Sequence, residues 1–343
     1  MTGRAFRLRR RPDGVPADED FELVEEPVPD VGDGEALVRT LLLSVDPANR
    51  IWISDMRGYR PPVPLGEVMD GTGIGEVVES RRDDLRAGDL VLGRLGWREL
   101  CLLGSDDSAT VLPDPLPAPL SAYLGVLGHT GLTAYVGLEI GGPQPRETVV
   151  VSAAAGAVGS VVGPLAKARG ARAVGIAGGP EKCRRLVEEL GFDACVDRHA
   201  EDWRDRLDAA TPDGVDVDFE NVGGEIMDHV LLRLNRGARV VLCGMISQYD
   251  QAGAGHAWHG QRAVHQILMQ RATMRGFIVS DHADLFPAGR EELGRLLAEG
   301  RLRSDETIVD GFEQLPAALR RLFTGDHVGK LLVRVAEPTG RAA

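Results

Sequence analysis

The stretch Thr148 to Gly170, TVVVSAAAGAVGSVVGPLAKARG, limits what this chain can fold into more than any other part of it. A continuous apolar run that ends in small residues is what a strand buried on both faces of a parallel sheet requires. The residues after it have helical spacing and close on Gly170, a helix stop. A second unit follows at once: ARAVGIAGG reads as another buried strand, and PEKCRRLVEELG as a helix with Pro180 in its first turn and Gly191 at its end. The alternation continues through ACVDR, an acidic helix, VDVDFENVGG, a helix around EIMDHVLLRLNRG and the strand ARVVLCG. Repeated βα units predict a doubly wound α/β domain with a parallel sheet. Pro164 removes a hydrogen bond inside the first helix and predicts a mild kink there.

The chain upstream has a different texture. Short β-like runs (Glu35 to Val45, Gly73 to Ser80, Asp89 to Leu103) are separated by turn residues, which predicts a mostly β, barrel-like domain. Four prolines in Leu112 to Leu120 forbid a regular element and mark a junction. After the α/β region, EELGRLLAEGRLR and GKLLVRVAEP read as a helix and a last strand that rejoins the β-domain. At 343 residues the chain has room for two domains, given a prior of roughly 150 residues each.

Charge and composition narrow the function. The net charge is -13, and no block of Lys/Arg with interleaved aromatics is present, so a nucleic-acid partner is not expected. The dense basic run RLRRRP reads as a solvated strand edge or arm. The basic N-terminus leads into no apolar stretch, and no run of about 18 apolar residues occurs, so neither a secretory signal nor a membrane span is expected. Cys101, Cys183, Cys195 and Cys243 lie far apart without metal-ligand spacing, as free thiols of a reduced, cytoplasmic compartment do.

The strand–turn–helix places Gly156, Ala157, Val158 and Gly159 where a helix N-terminus meets an anion. Small residues let the backbone approach a pyrophosphate, and the free N–H groups bind it. A tight turn in a ligand-free sheet is the plain alternative. The next strand ends Ala177-Gly178-Gly179 with no carboxylate to hold ribose hydroxyls, and Lys182 follows in the first helical turn. A 2′-phosphate is repelled by a carboxylate and favoured by such a lysine, so NADPH is the expected cofactor. Lys182 is one of only three lysines, which makes its position informative, although a surface lysine is the bland reading.

Taken together, these residues resemble the medium-chain dehydrogenase/reductase superfamily, and within it the zinc-independent prostaglandin/alkenal and curcumin reductase branch. The resemblance is densest in LGEVMDGTGIGEVVES, LGVLGHTGLTAY and VVVSAAAGAVGSVVG, with ENVGG, CGMISQY, RGFIV and GKLLVRV adding to it. It implies a GroES-like catalytic domain built from both chain ends (residues 1–128 and 301–343), with a Rossmann domain (129–300) inserted. It also implies that Asn221 lies beside the cofactor and that Cys243, Gly244, Met245, Ile246, Ser247, Gln248 and Tyr249 run along the nicotinamide ribose. Phe277, Ile278 and Val279 match the segment beside the nicotinamide.

Three positions depart from the pattern. Arg198 stands where the family has a 2′-phosphate tyrosine, and an arginine fork suits phosphate at least as well. Asp46-Pro47-Ala48-Asn49-Arg50 replaces a DPYMR motif at the substrate pocket, and His327 replaces a C-terminal asparagine contact. Zinc-dependent relatives carry a GHE-type motif where this chain has Val68-Met69-Asp70-Gly71, and no cysteine precedes Cys101, so no metal is expected.

The chemistry that suits such a site is conjugate reduction of an enal or enone, with hydride delivered to the β-carbon. A donor then stabilises the enolate oxygen. Tyr249 is the leading donor; the alternative, of equal weight, is that it packs on the cofactor and the ribose hydroxyl serves instead. Arg50 and Tyr59 are pocket candidates, and His129 and Trp52 weaker ones. His256, His259 and His265 fall in a Gly/His-rich stretch whose spacing hints only faintly at a metal and reads rather as a solvent-exposed lid. A quinone reductase of the same superfamily and a non-catalytic NADPH sensor are the rival functions, and a homodimer is the expected assembly.

Overall fold

The structure is a computed structural model that describes residues 2–56, 58–251 and 260–339. His256 and His259 of the expected lid lie outside the described residues. The chain divides into two compact units: residues 2–124 with 306–339, and residues 125–251 with 260–305.

The first unit opens with β1 (Thr2–Leu8), β2 (Phe21–Pro27), β3 (Ala36–Ser44), α1 (Ala48–Trp52), β4 (Thr72–Ser80), β5 (Leu90–Arg94), β6 (Leu100–Leu103) and β7 (Ala109–Val111). β1 and β2 form an antiparallel ribbon. Within it and beside it three arginines of the basic run are paired: Arg7 with Glu26, Arg10 with Asp20 and Arg11 with Asp55. β3, β4, β5 and β7 follow in antiparallel order, with β6 also on β3. Gly75 lets β3 and β4 approach: a Cβ there would stand 2.3 Å from Cγ1 of Val38.

The second unit contains α2 (His129–Gly141), β8 (Thr148–Val151), α3 (Gly159–Ala168), β9 (Arg172–Ala177), α4 (Pro180–Glu188), β10 (Ala194–Asp197), α5 (Trp203–Ala210) and β11 (Val215–Glu220). It continues with α6 (Gly224–Leu232), β12 (Leu234–Leu242), α7 (His265–Gln270), β13 (Thr273–Gly276) and α8 (Phe286–Ala298). Its sheet runs β10-β9-β8-β11-β12-β13, every pair parallel. This is the doubly wound order, with the switch in direction between β8 and β11. All four residues of β8 are buried, as its apolar run requires. Pro164 sits inside α3, which runs through it. Gly163 allows that helix to pack closely, since a Cβ there would meet the Phe192 ring at 2.1 Å.

The chain then returns to the first unit as β14 (Glu306–Asp310), α9 (Leu315–Thr324) and β15 (Lys330–Arg334). β15 pairs with β3, and Phe312 packs 5.3 Å from Phe6 in a core that also holds Phe21 and Trp97. Lys330 ties the two chain ends together. Its buried Nζ donates to the carbonyls of Val45 (2.8 Å) and Leu331 (3.2 Å) and to Oδ1 of Asp46 (3.0 Å). Among the described residues, no helix is long and apolar enough to cross a membrane.

Candidate cofactor and substrate sites

In an open parallel sheet, ligands bind beyond the carboxyl ends of the strands at the switch point. Here that point is built from the turns after β8 and β11. Ser152 donates its hydroxyl to Oε1 of Glu220 (2.7 Å) and accepts the N–H of Asn221 (2.7 Å). Asn221 Nδ2 donates to the Ser152 carbonyl, also at 2.7 Å. Asn221 is therefore a clamp that fixes the spacing of the two strand ends. The same Glu220 oxygen accepts the N–H groups of Val222 and Gly223, which bends the chain into α6.

The turn Ala153–Gly159 fits a diphosphate on its own geometry. Ala153 adopts a left-handed φ of 49°, and the Gly156 N–H bonds back to its carbonyl at 2.9 Å. A Cβ on Gly159 would lie 2.5 Å from the Ala153 carbonyl oxygen, so only glycine closes this turn. The Ser160 N–H already bonds to the Gly156 carbonyl; the N–H groups before it form the open end of α3, where partial positive charge gathers.

At the next strand end Gly178 stands against Arg198 and His199. Gly178 follows β9, and a Cβ there would meet Nε2 of His199 at 2.9 Å and Nε of Arg198 at 3.3 Å. Gly179, with φ of 93°, leads into Pro180, and Lys182 is the third residue of α4. Asp197 holds this turn: its Oδ1 accepts the N–H groups of Gly179 (2.7 Å) and His199 (3.0 Å). Burial pushes the Asp197 carboxyl up, but those bonds and the His199 and Arg198 charges outweigh it and carry the pKa down. His199 was not foreseen in the sequence, where a lone histidine after a strand carries no signal.

The segment after β12 docks on the turn after β11. Cys243 and Gly244 donate their N–H groups to the Glu220 carbonyl, Ile246 to that of Asn221, and Ser247 to that of Val222. Tyr249 turns back on the loop, its hydroxyl oxygen accepting the Met245 N–H at 3.1 Å. Gln248 lies between them in a short helical turn, Ile246–Gln251. Beyond β13, Phe277 reaches under α2, where a Cβ on Gly137 would touch its ring at 3.1 Å. Ile278 then leads into the buried Val279. His265 opens α7 and does not lie in a loop, a correction to the lid expectation; the Asp228 carboxylate accepts the N–H groups of Arg262 and Ala263 and anchors the chain just before the helix.

The first unit holds the pocket candidates. Tyr59 lines a cavity of about 320 Å³ with Met56, Gly58, Arg60, Pro61 and Pro62. Trp52 donates its ring N–H to the Tyr59 hydroxyl at 3.0 Å, and the Arg60 guanidinium stacks on the Trp52 ring at 3.7 Å. Asp70 pairs with both Arg60 and Arg94. Arg50 sits differently from expectation. It is fully buried, with its guanidinium donating to the carbonyls of Gly14 (3.0 Å) and Pro12 (3.3 Å), so it supports the loop beneath. His327 lies between α9 and β15 with Nδ1 at 3.2 Å from the Arg321 carbonyl. His129 is the exposed first residue of α2. Among the described residues, no group of three or more His, Cys, Asp or Glu could hold a metal ion.

Comparison with known proteins matches these features. A family model described as the N-terminal domain of oxidoreductase covers residues 4–111, and one described as zinc-binding dehydrogenase covers residues 157–293. The chain is 41% identical to the NADPH-dependent curcumin reductase of Escherichia coli, over 97% of each chain. It is 35% identical to the NADP(+)-dependent 2-alkenal reductase of Nicotiana tabacum, over 98% of each. The crystal structure of CurA from Vibrio vulnificus in complex with NADPH superposes with a TM-score of 0.92 at 38% identity, covering 98% of this chain and 100% of that one. The chain therefore belongs to the medium-chain dehydrogenase/reductase superfamily, in its zinc-independent branch.

Proposed function

We propose that this protein reduces the C=C bond of α,β-unsaturated aldehydes and ketones with NADPH, without zinc. The observation that carries the reading is the meeting of Gly178 with Arg198 and His199, with Lys182 in the first turn of the helix that follows, one strand away from the Gly156–Gly159 turn. A diphosphate suits the turn, and a 2′-phosphate suits the cationic groups. Relatives named for NADPH and for curcumin or 2-alkenal reduction support the same cofactor and substrate class.

In this reading NADPH, when bound, supplies a hydride to the β-carbon of the substrate. The chain's own residues bind, orient and handle charge. Gly156, Ala157, Val158 and Gly159 hold the diphosphate; Gly178, Lys182 and Arg198 hold the 2′-phosphate, helped by His199. Asn221, the run Cys243 to Gln248, and Phe277 to Val279 orient the nicotinamide end. The Tyr249 hydroxyl donates to the carbonyl oxygen as negative charge develops there, with the Met245 N–H fixing its position. Solvent or Tyr249 protonates the α-carbon. Tyr59 receives the substrate, with Trp52 and Arg60 behind it; Arg50 acts there through the loop it supports.

The unit of residues 2–124 and 306–339 is the one that receives the substrate, at Tyr59. A cytoplasmic homodimer fits as well. The four cysteines are free thiols, and Val264, Leu268 and Met269 are exposed around α7, in the unit whose sheet ends at β13. The test is EDTA-treated protein, a medium-chain 2-alkenal, and NADPH or NADH. The reading expects rapid loss of nicotinamide absorbance with NADPH and a saturated aldehyde as product. Turnover of quinones alone, or tight NADPH binding without turnover, would overturn it.

A further inference from the structure

Cys183 and Cys195 are twelve positions apart in sequence, yet their sulfurs stand 2.7 Å from each other. Cys183 lies in the first turns of α4, directly after Lys182; Cys195 lies on β10, two residues before Asp197. Neither residue is fully buried. A disulfide needs sulfurs about 2 Å apart, so joining the pair requires a shift of less than about 1 Å.

We propose that Cys183 and Cys195 form a redox-active dithiol, oxidised by a hydroperoxide to an intramolecular disulfide and restored by thiols. Cys183 attacks and Cys195 resolves. The Cys183 sulfur takes the terminal oxygen of the peroxide, becoming a sulfenic acid and releasing water (or the alcohol). The Cys195 sulfur then displaces that hydroxyl as a second water, and the S–S bond forms. Two thiols give up two electrons and two protons, and one peroxide is reduced.

The roles follow from the environment. The hydrogen bond donated by Cys195, outweighing burial and Asp197, draws the Cys183 thiol down, and the helix N-terminus favours a thiolate there. The same bond, with burial, pushes Cys195 up, as suits a protonated partner that waits. The other two thiols are not set up this way: burial first raises Cys101 to about 11 and Cys243 to about 12.

The arrangement protects α4. Without a resolving thiol, a sulfenic acid goes on to the sulfinic and sulfonic acids. Those would put a lasting anion beside Lys182. The consequence for NADPH rests on the cofactor reading above; the chemistry of the pair does not.

The experiment treats the reduced full-length protein with hydrogen peroxide, blocks remaining thiols, and maps the peptides by mass. The expected result is a Cys183–Cys195 linked peptide, lighter by two hydrogens and released by dithiothreitol. In Cys195→Ser, Cys183 is expected as sulfinic or sulfonic acid, with no recovery in dithiothreitol. Two reduced thiols after treatment, an over-oxidised Cys183 in the wild-type chain, or links to other cysteines would each overturn the proposal. The wild-type map decides the question even if the variant does not fold. If the link forms but KM for NADPH is the same in the untreated and over-oxidised Cys195→Ser protein, the dithiol stands and the role of Lys182 falls.

Discussion

Replacing Lys182 or Arg198 with alanine should lower activity with NADPH and leave activity with NADH nearly unchanged. Both groups serve the phosphate that distinguishes the two cofactors. A hydrogen bond to a charged group contributes about 1.5–3 kcal/mol, and about 1.4 kcal/mol corresponds to a tenfold change. Each substitution alone therefore lowers kcat/KM for NADPH by about tenfold to a hundredfold. Asp197 shifts the expectation for Arg198 toward the low end, because its charge already interacts with that guanidinium. Gly178→Asp is the sharper perturbation. It sets a carboxylate against His199 and Arg198, where a Cβ already meets them at 2.9 and 3.3 Å, and it should turn the preference toward NADH. Initial rates with each nucleotide at a fixed concentration of a 2-alkenal read the effect. Equal losses with both nucleotides, or no loss with NADPH, would refute the placement of the 2′-phosphate.

Two other perturbations follow from the same geometry. Gly159→Ala forces the turn apart at the Ala153 carbonyl, at a cost of about 1–3 kcal/mol, and KM should rise for NADPH and NADH together. A rise for one cofactor alone would count against the diphosphate role. Asp218→Val removes a buried carboxyl whose two oxygens have no partner among the described residues, and should stabilise the fold by about 1–3 kcal/mol. Burial, then Glu220, raises the Asp218 pKa well above its ordinary value. The wild-type chain therefore loses stability as pH climbs from the unfolded carboxyl's value, about 3.9, toward the folded one. Urea unfolding should show a larger gain at pH 8 than at pH 5, and an equal gain at both would contradict this.

What could be read in the sequence was local. The apolar run Thr148–Val151 with its glycines announces a buried parallel strand, a tight turn and a helix, because each depends on neighbours in the chain. The absence of a carboxylate after Ala177 is legible for the same reason. Contacts across the fold were not. Lys330 bonds to Val45, 285 positions away, and nothing near GKLLVRV signals that partner. VDVDFE alternates as a half-solvated strand would, yet β11 sits in the middle of the sheet with Asp218 and Glu220 both buried. Arg50 looked like a pocket residue from its motif, but its long side chain turns inward to the carbonyls of Pro12 and Gly14. Arg60 gained its place through the stack on Trp52 and the pair with Asp70.

The most direct test of the central claim uses NADPH carrying deuterium at the transferring position of the nicotinamide and a 2-alkenal as substrate. The account predicts a saturated aldehyde with the deuterium on its β-carbon. Deuterium on the carbonyl carbon, in an allylic alcohol, would show carbonyl reduction and contradict it.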